Sequence, residues 1–228
     1  MKSIWKQRLA LSLLICPILL ITFAFAYSSE EKQAYNYAFR NDITTMNSID
    51  RADMWWNLTR IAMAKMISNY AINVLWLTPD RWEDCYFSDV SDDLDYQYDR
   101  WVTKACQLGL MGVWMDKFYP NWIVTRAEFW TVLSRALNAE NESKLRRMNN
   151  ASPYYEQHLL YLKGEWIMSN ISNPSSLERR WRVMLMLMRA DEWYDGWSII
   201  NDECTAREML ECLTTDDIDD CMAACEGE

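Results

Sequence analysis

The sequence predicts an all-α fold: three helix-loop-helix repeats in a pseudo-threefold helical bundle, followed by a small cysteine-rich helical tail. Three observations predict it. A capped amphipathic helix begins near Thr125, and similar apolar stripes recur upstream, behind Thr59-Arg60, and downstream, behind Arg179-Arg180. Half of the residues are hydrophobic, which is enough to build a buried core. Four of the seven cysteines cluster at the C-terminal end.

Residues 1–26 have the pattern of a secretory signal peptide. Basic residues at positions 2, 6 and 8 precede an apolar run over residues 9–23, and a small-x-small cleavage site follows at residues 24–26. The run is shorter than the roughly 20 residues that a membrane span needs. We therefore expect export with cleavage after Ala26 and no stable membrane span afterwards. A retained membrane anchor is the less favoured alternative.

The clearest helix-loop-helix unit covers residues 85–140. It opens with Phe87-Ser88-Asp89-Val90, and Gly109-Leu110-Met111 follows its first helical stretch, where a glycine suits a helix end. A proline turn then leads to Thr125-Arg126-Ala127-Glu128. Thr125 and Glu128 have the spacing of a capping box, in which each side chain binds a backbone amide at the helix start. We therefore expect Glu128 to be structural and not a catalytic acid.

The upstream unit covers residues 34–80. Thr59-Arg60 align with the Thr-Arg step of the central unit, and one constant offset then aligns the apolar positions behind it. Ala62 stands where the capping glutamate would be, so this cap lacks its reciprocal half. We therefore expect a second, less complete copy of the same helix start.

The downstream unit covers residues 150–191. A second constant offset aligns Arg180 with Arg126, but Arg179 takes the cap position and Arg182 takes the glutamate position. Trp166 aligns with the glycine of the Gly-Leu-Met step once a three-residue gap is allowed. Any helical bundle shows apolar stripes, so the ordered set of motifs is what favours a repeat over an ordinary bundle.

This ordered set resembles the S-layer homology repeat. An aromatic-Asp opening, a Gly-Leu-Met step, a proline turn and a Thr-Arg-Ala-Glu cap follow one another in the central unit. The resemblance covers roughly residues 34 to 191. It implies three repeats around a pseudo-threefold axis, which bind a pyruvylated secondary cell-wall polymer in the grooves between repeats. It also implies that the motif arginine contacts the acidic sugar, which by position is Arg126, Arg60 or Arg180.

An arginine in a first helical turn also suits an anion on physical grounds. Free backbone amides and the helix dipole favour negative charge there, and a guanidinium can clamp a carboxylate with two hydrogen bonds. The simpler alternative is an exposed residue without a ligand. For Arg180, beside Arg179 and Arg182, a solvated basic patch is an equal alternative. The net charge of −10 argues against nucleic-acid binding.

Six cysteines remain after signal cleavage, and an even number in an exported chain favours disulfides. Cys85 and Cys106 flank the first helix of the central unit, and we expect them to pair. The acidic tail, residues 192–228, holds the other four: Cys204, Cys212, Cys221 and Cys225. A nested pairing would staple a helical hairpin, serving as a cap or as a contact with an envelope protein. A zinc site is the less favoured alternative because no Cys-x-x-Cys pair occurs, so we expect no metal and no cofactor.

Tryptophan stands where glycine is expected. The chain has 13 tryptophans and 5 glycines, whereas average usage predicts roughly 16 glycines. Trp166 replaces the glycine of the Gly-Leu-Met step, Trp56 and Trp122 precede helix caps, and Trp114 lies in a loop. We interpret many of these residues as glycines that are encoded by UGA and translated on paper as tryptophan. The alternative is a tryptophan-rich chain whose rings fill the core or stack on sugars, and UGG codons would establish it.

The expected function is anchoring, not catalysis. We expect a secreted protein of the cell wall, S-layer or cell surface that binds a secondary polymer or another peptidoglycan-associated polysaccharide. The chain holds one histidine, His158, and neither a Gly-x-Ser-x-Gly nor a His-Glu-x-x-His motif, and it leaves no room for a separate catalytic domain. Two alternatives remain: a degenerate repeat scaffold for protein contacts in the envelope, and a wall-tethered accessory of an enzyme acting in trans.

Overall fold

The structure is a computed structural model that describes residues 27–81, 84–97, 100–113, 115–168 and 170–203, and it describes side chains as far as residue 192 except for residue 97. Within these ranges the chain is mostly helical and has no β-strand, which confirms the all-α prediction. The helices are α1 Ser29–Arg40, α2 Arg60–Asn73, α3 Asp92–Gln97, α4 Trp101–Gln107, α5 Arg126–Leu137, α6 Glu142–Asn149, α7 Glu156–Gly164 and α8 Arg180–Glu203. The predicted signal peptide and the four tail cysteines lie outside these ranges.

The helix starts follow local capping signals. The Thr125 side chain accepts a hydrogen bond from the Glu128 amide at 3.3 Å, and the Glu128 carboxylate accepts one from the Thr125 amide at 2.7 Å. Thr59 caps α2 without a reciprocal glutamate. Ser28 and Glu31 form a further capping box, and α1 therefore begins upstream of the predicted boundary at residue 34. The far end also differs from the expected division, because α8 continues past residue 192 to Glu203.

The helices pack in pairs that join successive units. α2 packs against α4, α5 packs against α7, and α8 packs against α1, so the last described helix returns to the first. The apolar stripes predicted for α2, α5 and α8 face this core. Their buried members are Met63, Met66, Ile67, Tyr70, Ala71, Phe129, Val132, Leu133, Ala136, Val183, Met186, Leu187 and Ala190. Burial of these side chains stabilises each pair by roughly 25 cal/mol for each Å² of apolar surface removed from water.

Three extended segments, each leading into α2, α5 or α8, meet in a ring of backbone hydrogen bonds. The Val124 amide donates to the Leu58 carbonyl (2.8 Å), the Leu58 amide to the Glu178 carbonyl (2.9 Å), and the Glu178 amide to the Val124 carbonyl (2.8 Å). Each of these residues stands two positions before the first residue of its helix, so the ring repeats in the register in which the sequence motifs align. The ring brings the starts of the three long helices together, because each segment both donates to and accepts from a neighbour.

Two further contacts order the central unit. Cys85 and Cys106 form a disulfide, the pair that the sequence analysis favoured, and it ties the extended segment before α3 to the end of α4. Asp89 accepts hydrogen bonds from the Phe118 amide at 2.7 Å and the Tyr119 amide at 2.8 Å. The aspartate of the aromatic-Asp opening therefore organises the turn that precedes α5. In the described ranges, no helix combines the length and the apolar character that crossing a membrane requires.

Candidate functional site

The three motif arginines occupy equivalent places around the ring. Each side chain donates to a backbone carbonyl of a neighbouring turn: Arg60 to Phe118 at 2.7 Å, Arg126 to Ser172 at 3.4 Å and Arg180 to Ala52 at 3.0 Å. Each acceptor stands the same number of positions before the motif arginine of its own unit. The arginines therefore lie at three separate junctions and do not converge on one site.

The backbone amides of these helix starts are not free, and the expectation that they would attract an anion is wrong. The Arg60 amide donates to the Trp122 carbonyl and the Arg126 amide to the Ser176 carbonyl, both at 2.8 Å, and the Arg180 amide donates to the Trp56 carbonyl at 3.2 Å. The next amide of each helix is also paired with a neighbouring segment. The ring uses these donors to hold the helices together. Anion binding here therefore has to come from side chains.

The Arg60 junction is closed by an ion pair. The guanidinium lies 3.3 Å from the Glu128 carboxylate and 5.1 Å from the centre of the Phe118 ring, and only 11% of the Arg60 side chain is exposed. Glu128 uses its other oxygen to cap α5. Because the charge of Arg60 is compensated and covered, this geometry favours a structural role for it.

At the Arg126 junction, the position equivalent to Glu128 is Arg182. Arg182 pairs instead with Glu178 at 3.2 Å, and burial raises the pKa of the Glu178 carboxyl. Burial also lowers the pKa of Arg182, and the nearby positive charge of Arg126 adds to this shift. The Nε of Arg126 is buried and has no hydrogen-bond partner among the described residues. This junction therefore holds two cations, of which one is neutralised.

A small groove of about 170 Å³, here called the third groove, lies beside this junction. Its lining is Ile167, Met168, Asn170, Trp181, Arg182, Leu185, Met186 and Arg189. Both of its cations are ion-paired: Arg182 with the fully buried carboxylate of Glu178, and Arg189 with Glu30 in a pair whose two side chains are both exposed. An anionic ligand would have to displace these carboxylates, so the third groove is poorly suited to one.

The Arg180 junction is open. The position equivalent to Glu128 is here Ala62, and a groove of about 470 Å³, here called the first groove, lies over it. Its lining is Ile43, Thr44, Thr45, Met46, Thr59, Ile61, Ala62, Lys65, Met66, Trp101 and Arg180. None of these lining residues is acidic. The carboxylate that Arg180 does approach is Asp53, at 3.8 Å, whose side chain is 59% exposed; such exposed pairs are worth only about 0–1 kcal/mol.

Lys65 is the second cation of the first groove. Its ammonium group donates to the Thr45 hydroxyl at 2.5 Å and lies 4.3 Å from the centre of the Trp101 ring. Burial lowers the pKa of Lys65, and the positive charge of Arg180 adds to this shift. Two cations thus face the same space without an acid in its lining. A carboxylate in the groove would relieve their repulsion, while the threonine hydroxyls and the indole ring suit a sugar.

Sequence reasoning identified Arg180 but missed Lys65 and Trp101. Lys65 lies in the second turn of α2 beside the buried stripe, and Trp101 begins α4. No motif marks either residue. They are remote in sequence, and the packing of α2 against α4 brings them together. Only the first-turn arginine carried a local signal, because it belongs to the repeated helix start.

The described residues contain no group of three or more histidine, cysteine, aspartate or glutamate side chains that could hold a metal ion. The four tail cysteines, on which the zinc alternative depended, lie outside those residues. The chain matches no protein-family model and no curated protein. Its function is therefore inferred from the residues and their geometry.

Proposed function

We propose that this chain is an exported cell-envelope protein that anchors non-covalently to an acidic secondary cell-wall polysaccharide through three S-layer homology repeats. The observation that carries the proposal is the first groove, whose lining contains two cations, Lys65 and Arg180, and no acidic residue. The whole chain carries a net charge of −10. The negative charge of the whole chain repels anions, so an anion is attracted only where cations are grouped locally, as they are in this groove.

The repeat part of the proposal is supported by spacing. The sequence motifs, the ring hydrogen bonds and the arginine-to-carbonyl contacts all recur in one common register, the one that aligns Arg60, Arg126 and Arg180. Each junction joins the end of one unit to the start of another, as the pairing of α8 with α1 does. Because each unit packs against the other two, we expect all three units to be needed for the bundle to close.

The charge of the groove sets the class of sugar. A carboxylate about 4 Å from one cation gains about 1 kcal/mol in water and about 4 kcal/mol near a protein surface of lower effective dielectric. Lys65 and Arg180 are both partly buried, so the gain lies between these values for each. A pyruvylated sugar supplies such a carboxylate on a ring that can also contact Trp101. A neutral polysaccharide would supply no counter-charge to Lys65 and would leave Arg180 with only the exposed Asp53 carboxylate.

Cosedimentation with purified cell walls tests this function. We expect the wild-type chain to pellet with intact walls and to stay in solution with walls from which acid extraction has removed the secondary polymer. The double variant Lys65→Met, Arg180→Ala should lose pelleting while keeping its helical content. Lys163→Met, at an exposed site at the end of α7, is the matched control and should pellet normally.

Failure of the folded wild type to pellet with intact walls would refute wall anchoring. The variant Arg126→Ala shows whether the polymer binds at the Arg126 junction or at the Arg180 junction. If binding follows the resemblance at the central repeat, this variant loses pelleting and the double variant keeps it. We expect the reverse, because Lys65 adds a second cation to the Arg180 junction.

The scaffold alternative is supported by one observation. Trp56, Trp122 and Leu177 lie next to the ring and are exposed by 73%, 63% and 48%. Large apolar side chains in one region are typical of protein contacts. Capture of an envelope protein by a chain that ignores cell walls would favour this alternative. If the double variant Trp56→Ser, Trp122→Ser still captured that envelope protein, the exposed tryptophans would not be the contact surface and the scaffold alternative would lose its support.

A further inference from the structure

Two tryptophans adopt a backbone conformation that suits glycine. Trp76 has φ 57° and Trp166 has φ 56°, both in the left-handed region. A β-carbon is crowded against the backbone there, so a bulky L-residue is a true outlier while glycine is free of the penalty. The other non-glycine residues with positive φ include Asp42, Asp53 and Asn173. Aspartate and asparagine tolerate this conformation, and tryptophan does not.

Trp166 occupies the same turn as a true glycine. Gly109 follows the last residue of α4 and its C-cap with φ 69°, and Trp166 follows the end of α7 and its C-cap in the same way. The Met111 amide then returns to the Ala105 carbonyl at 3.1 Å, and the Met168 amide returns to the Leu162 carbonyl at 3.2 Å. One helix end thus carries the glycine that this motif favours, and its counterpart carries the largest side chain.

The same turn occurs a third time, after α1. Asp42 has φ 55°, and the Thr44 amide returns to the Ala38 carbonyl at 3.1 Å. The three turns therefore hold aspartate, glycine and tryptophan. Two of these are residues that the left-handed conformation accepts, which leaves Trp166 as the exception.

The indole rings of Trp76 and Trp166 lie mostly in water. Trp166 is 89% exposed and Trp76 is 82% exposed, the two most exposed of the large apolar side chains in the described part of the chain. Trp76 lies two positions beyond Val74, the C-cap of α2, one position later than the helix-end position of Gly109 and Trp166. A strained residue persists when surrounding contacts hold it in place, and rings that are mostly in water provide few such contacts.

Two other large residues share the positive φ, and both are held by contacts of this kind. The Tyr119 amide donates to the Asp89 carboxylate at 2.8 Å. The Tyr119 ring is stacked on the Trp122 ring, with 4.5 Å between the ring centres. The Arg100 amide donates to the Asp95 carbonyl at 2.7 Å, and the Arg100 guanidinium lies 5.9 Å from the centre of the Tyr96 ring. Within the described part of the chain, no ring stacking or cation–aromatic contact of this kind is seen for the exposed indoles at 76 and 166.

We infer that residues 76 and 166 are glycine in the native protein, encoded by UGA codons that the producing cell reads as glycine. The chemical class of the decoding component follows: a transfer RNA that pairs with UGA and is charged with glycine. Each position then carries a hydrogen atom in place of an indolylmethyl group, and the strain and two exposed apolar rings disappear together. Neither residue lines the first groove, so the strain argument does not use the proposed sugar site. Trp101 does line that groove, and under the same code its own codon decides whether the native groove carries an indole ring.

Codons and peptide masses from the producing organism test it directly. We expect UGA at both codons, and peptides of the native protein that cover residues 75–77 and 165–167 should have the masses of glycine-containing sequences. A UGG codon, or a tryptophan mass, at either position would overturn the inference for that position.

Paired variants of the recombinant full-length chain test the strain itself. Trp166→Gly and Trp166→Ala both remove the ring, but only glycine removes the β-carbon. We expect the thermal midpoint of Trp166→Gly to lie above those of both Trp166→Ala and the parent, and the same order at residue 76. Trp122 is 63% exposed at an ordinary negative φ, so there glycine should not exceed alanine. Equal midpoints for Trp166→Gly and Trp166→Ala would contradict the inference.

Discussion

The first and third grooves occupy equivalent places beside the ring but differ in their charge balance. Each groove is lined by two cations and by no acidic residue, and the first has a volume of about 470 Å³ against about 170 Å³ for the third. Both cations of the third groove are ion-paired, whereas in the first groove Arg180 has a long contact of 3.8 Å with Asp53 and Lys65 donates to a threonine hydroxyl. The position that aligns with Glu128 is Ala62 in one and Arg182 in the other. A single first-turn position therefore helps decide whether the cleft at a helix start stays open.

The Arg60 junction completes the comparison. There the aligned position is Glu128 itself, and the arginine is buried in an ion pair. The three aligned arginines thus have three different environments: Arg60 is ion-paired, Arg126 lies beside a second arginine, and Arg180 lies beside an open groove. The aligned position of an arginine therefore does not set its role, because the role depends on the side chains that the neighbouring segment presents.

The largest expected effect is at the closed junction. Arg60→Ala removes one member of a buried pair and a hydrogen bond to the Phe118 carbonyl, and we expect it to lower the free energy of unfolding by about 3 kcal/mol. Urea denaturation measures the change. Arg40→Ala, at an exposed position on α1, should cost less than about 0.5 kcal/mol. An equally small loss in Arg60→Ala would show that the junction is not structural.

Acid should destabilise the fold through the buried His158. His158 is fully buried between Ser134 and Asn149, and burial lowers its pKa to about 4, with the charge of Arg135 adding to the shift. Below the ordinary value of about 6.5 the unfolded chain binds a proton that the folded chain does not. Stability is therefore lost as the pH falls from about 6.5 to about 4, by about 2–3 kcal/mol.

Urea titrations at several pH values check this expectation. The difference between the wild type and His158→Gln isolates the histidine from the carboxyl groups, whose titration both chains share. The wild type should lose more stability than the variant between pH 7 and pH 4. Parallel curves would place the acid sensitivity elsewhere in the molecule.

Converting the first groove into the closed type sharpens the comparison. Ala62→Glu places a carboxylate opposite Arg180, where it should compete with an acidic sugar and weaken wall binding about 10-fold, or about 1.4 kcal/mol. The same change completes the cap that Thr59 begins and should raise stability by about 0.5 kcal/mol. Ala62→Gln supplies the cap without the charge and should keep binding. Equal binding by both variants would argue against an electrostatic site.

The smallest expected effect is the loss of one cation from each groove. Lys65→Met should weaken wall binding about 3- to 5-fold and reduce its salt dependence, because one of two charges is lost. Arg182→Met in the third groove should leave binding unchanged, since Glu178 already neutralises that arginine. Binding curves at several salt concentrations measure both. A larger loss in Arg182→Met would transfer the site to the third groove.

Local patterns predicted the local structure. The Thr125–Glu128 cap, the apolar stripes of the long helices and the Cys85–Cys106 pair all follow from spacing along one short stretch of chain. The candidate site could be predicted only in part. Arg180 was visible as a first-turn arginine, but the sequence did not show that the nearby amides are taken by neighbouring segments.

By itself the sequence determined the all-α class and the starts of α2, α5 and α8, because capping and amphipathic spacing act within a single helix. Only the tertiary structure decided what each arginine faces. The first groove brings together three residues that are remote in sequence: Lys65, Trp101 and Arg180. The packing of α2 against α4 places the first two, and the hydrogen-bonded ring places the start of α8 next to the start of α2. Whether an arginine is free to bind a ligand or is held in an ion pair depends on the side chains around it, and in this fold those side chains come from distant parts of the chain.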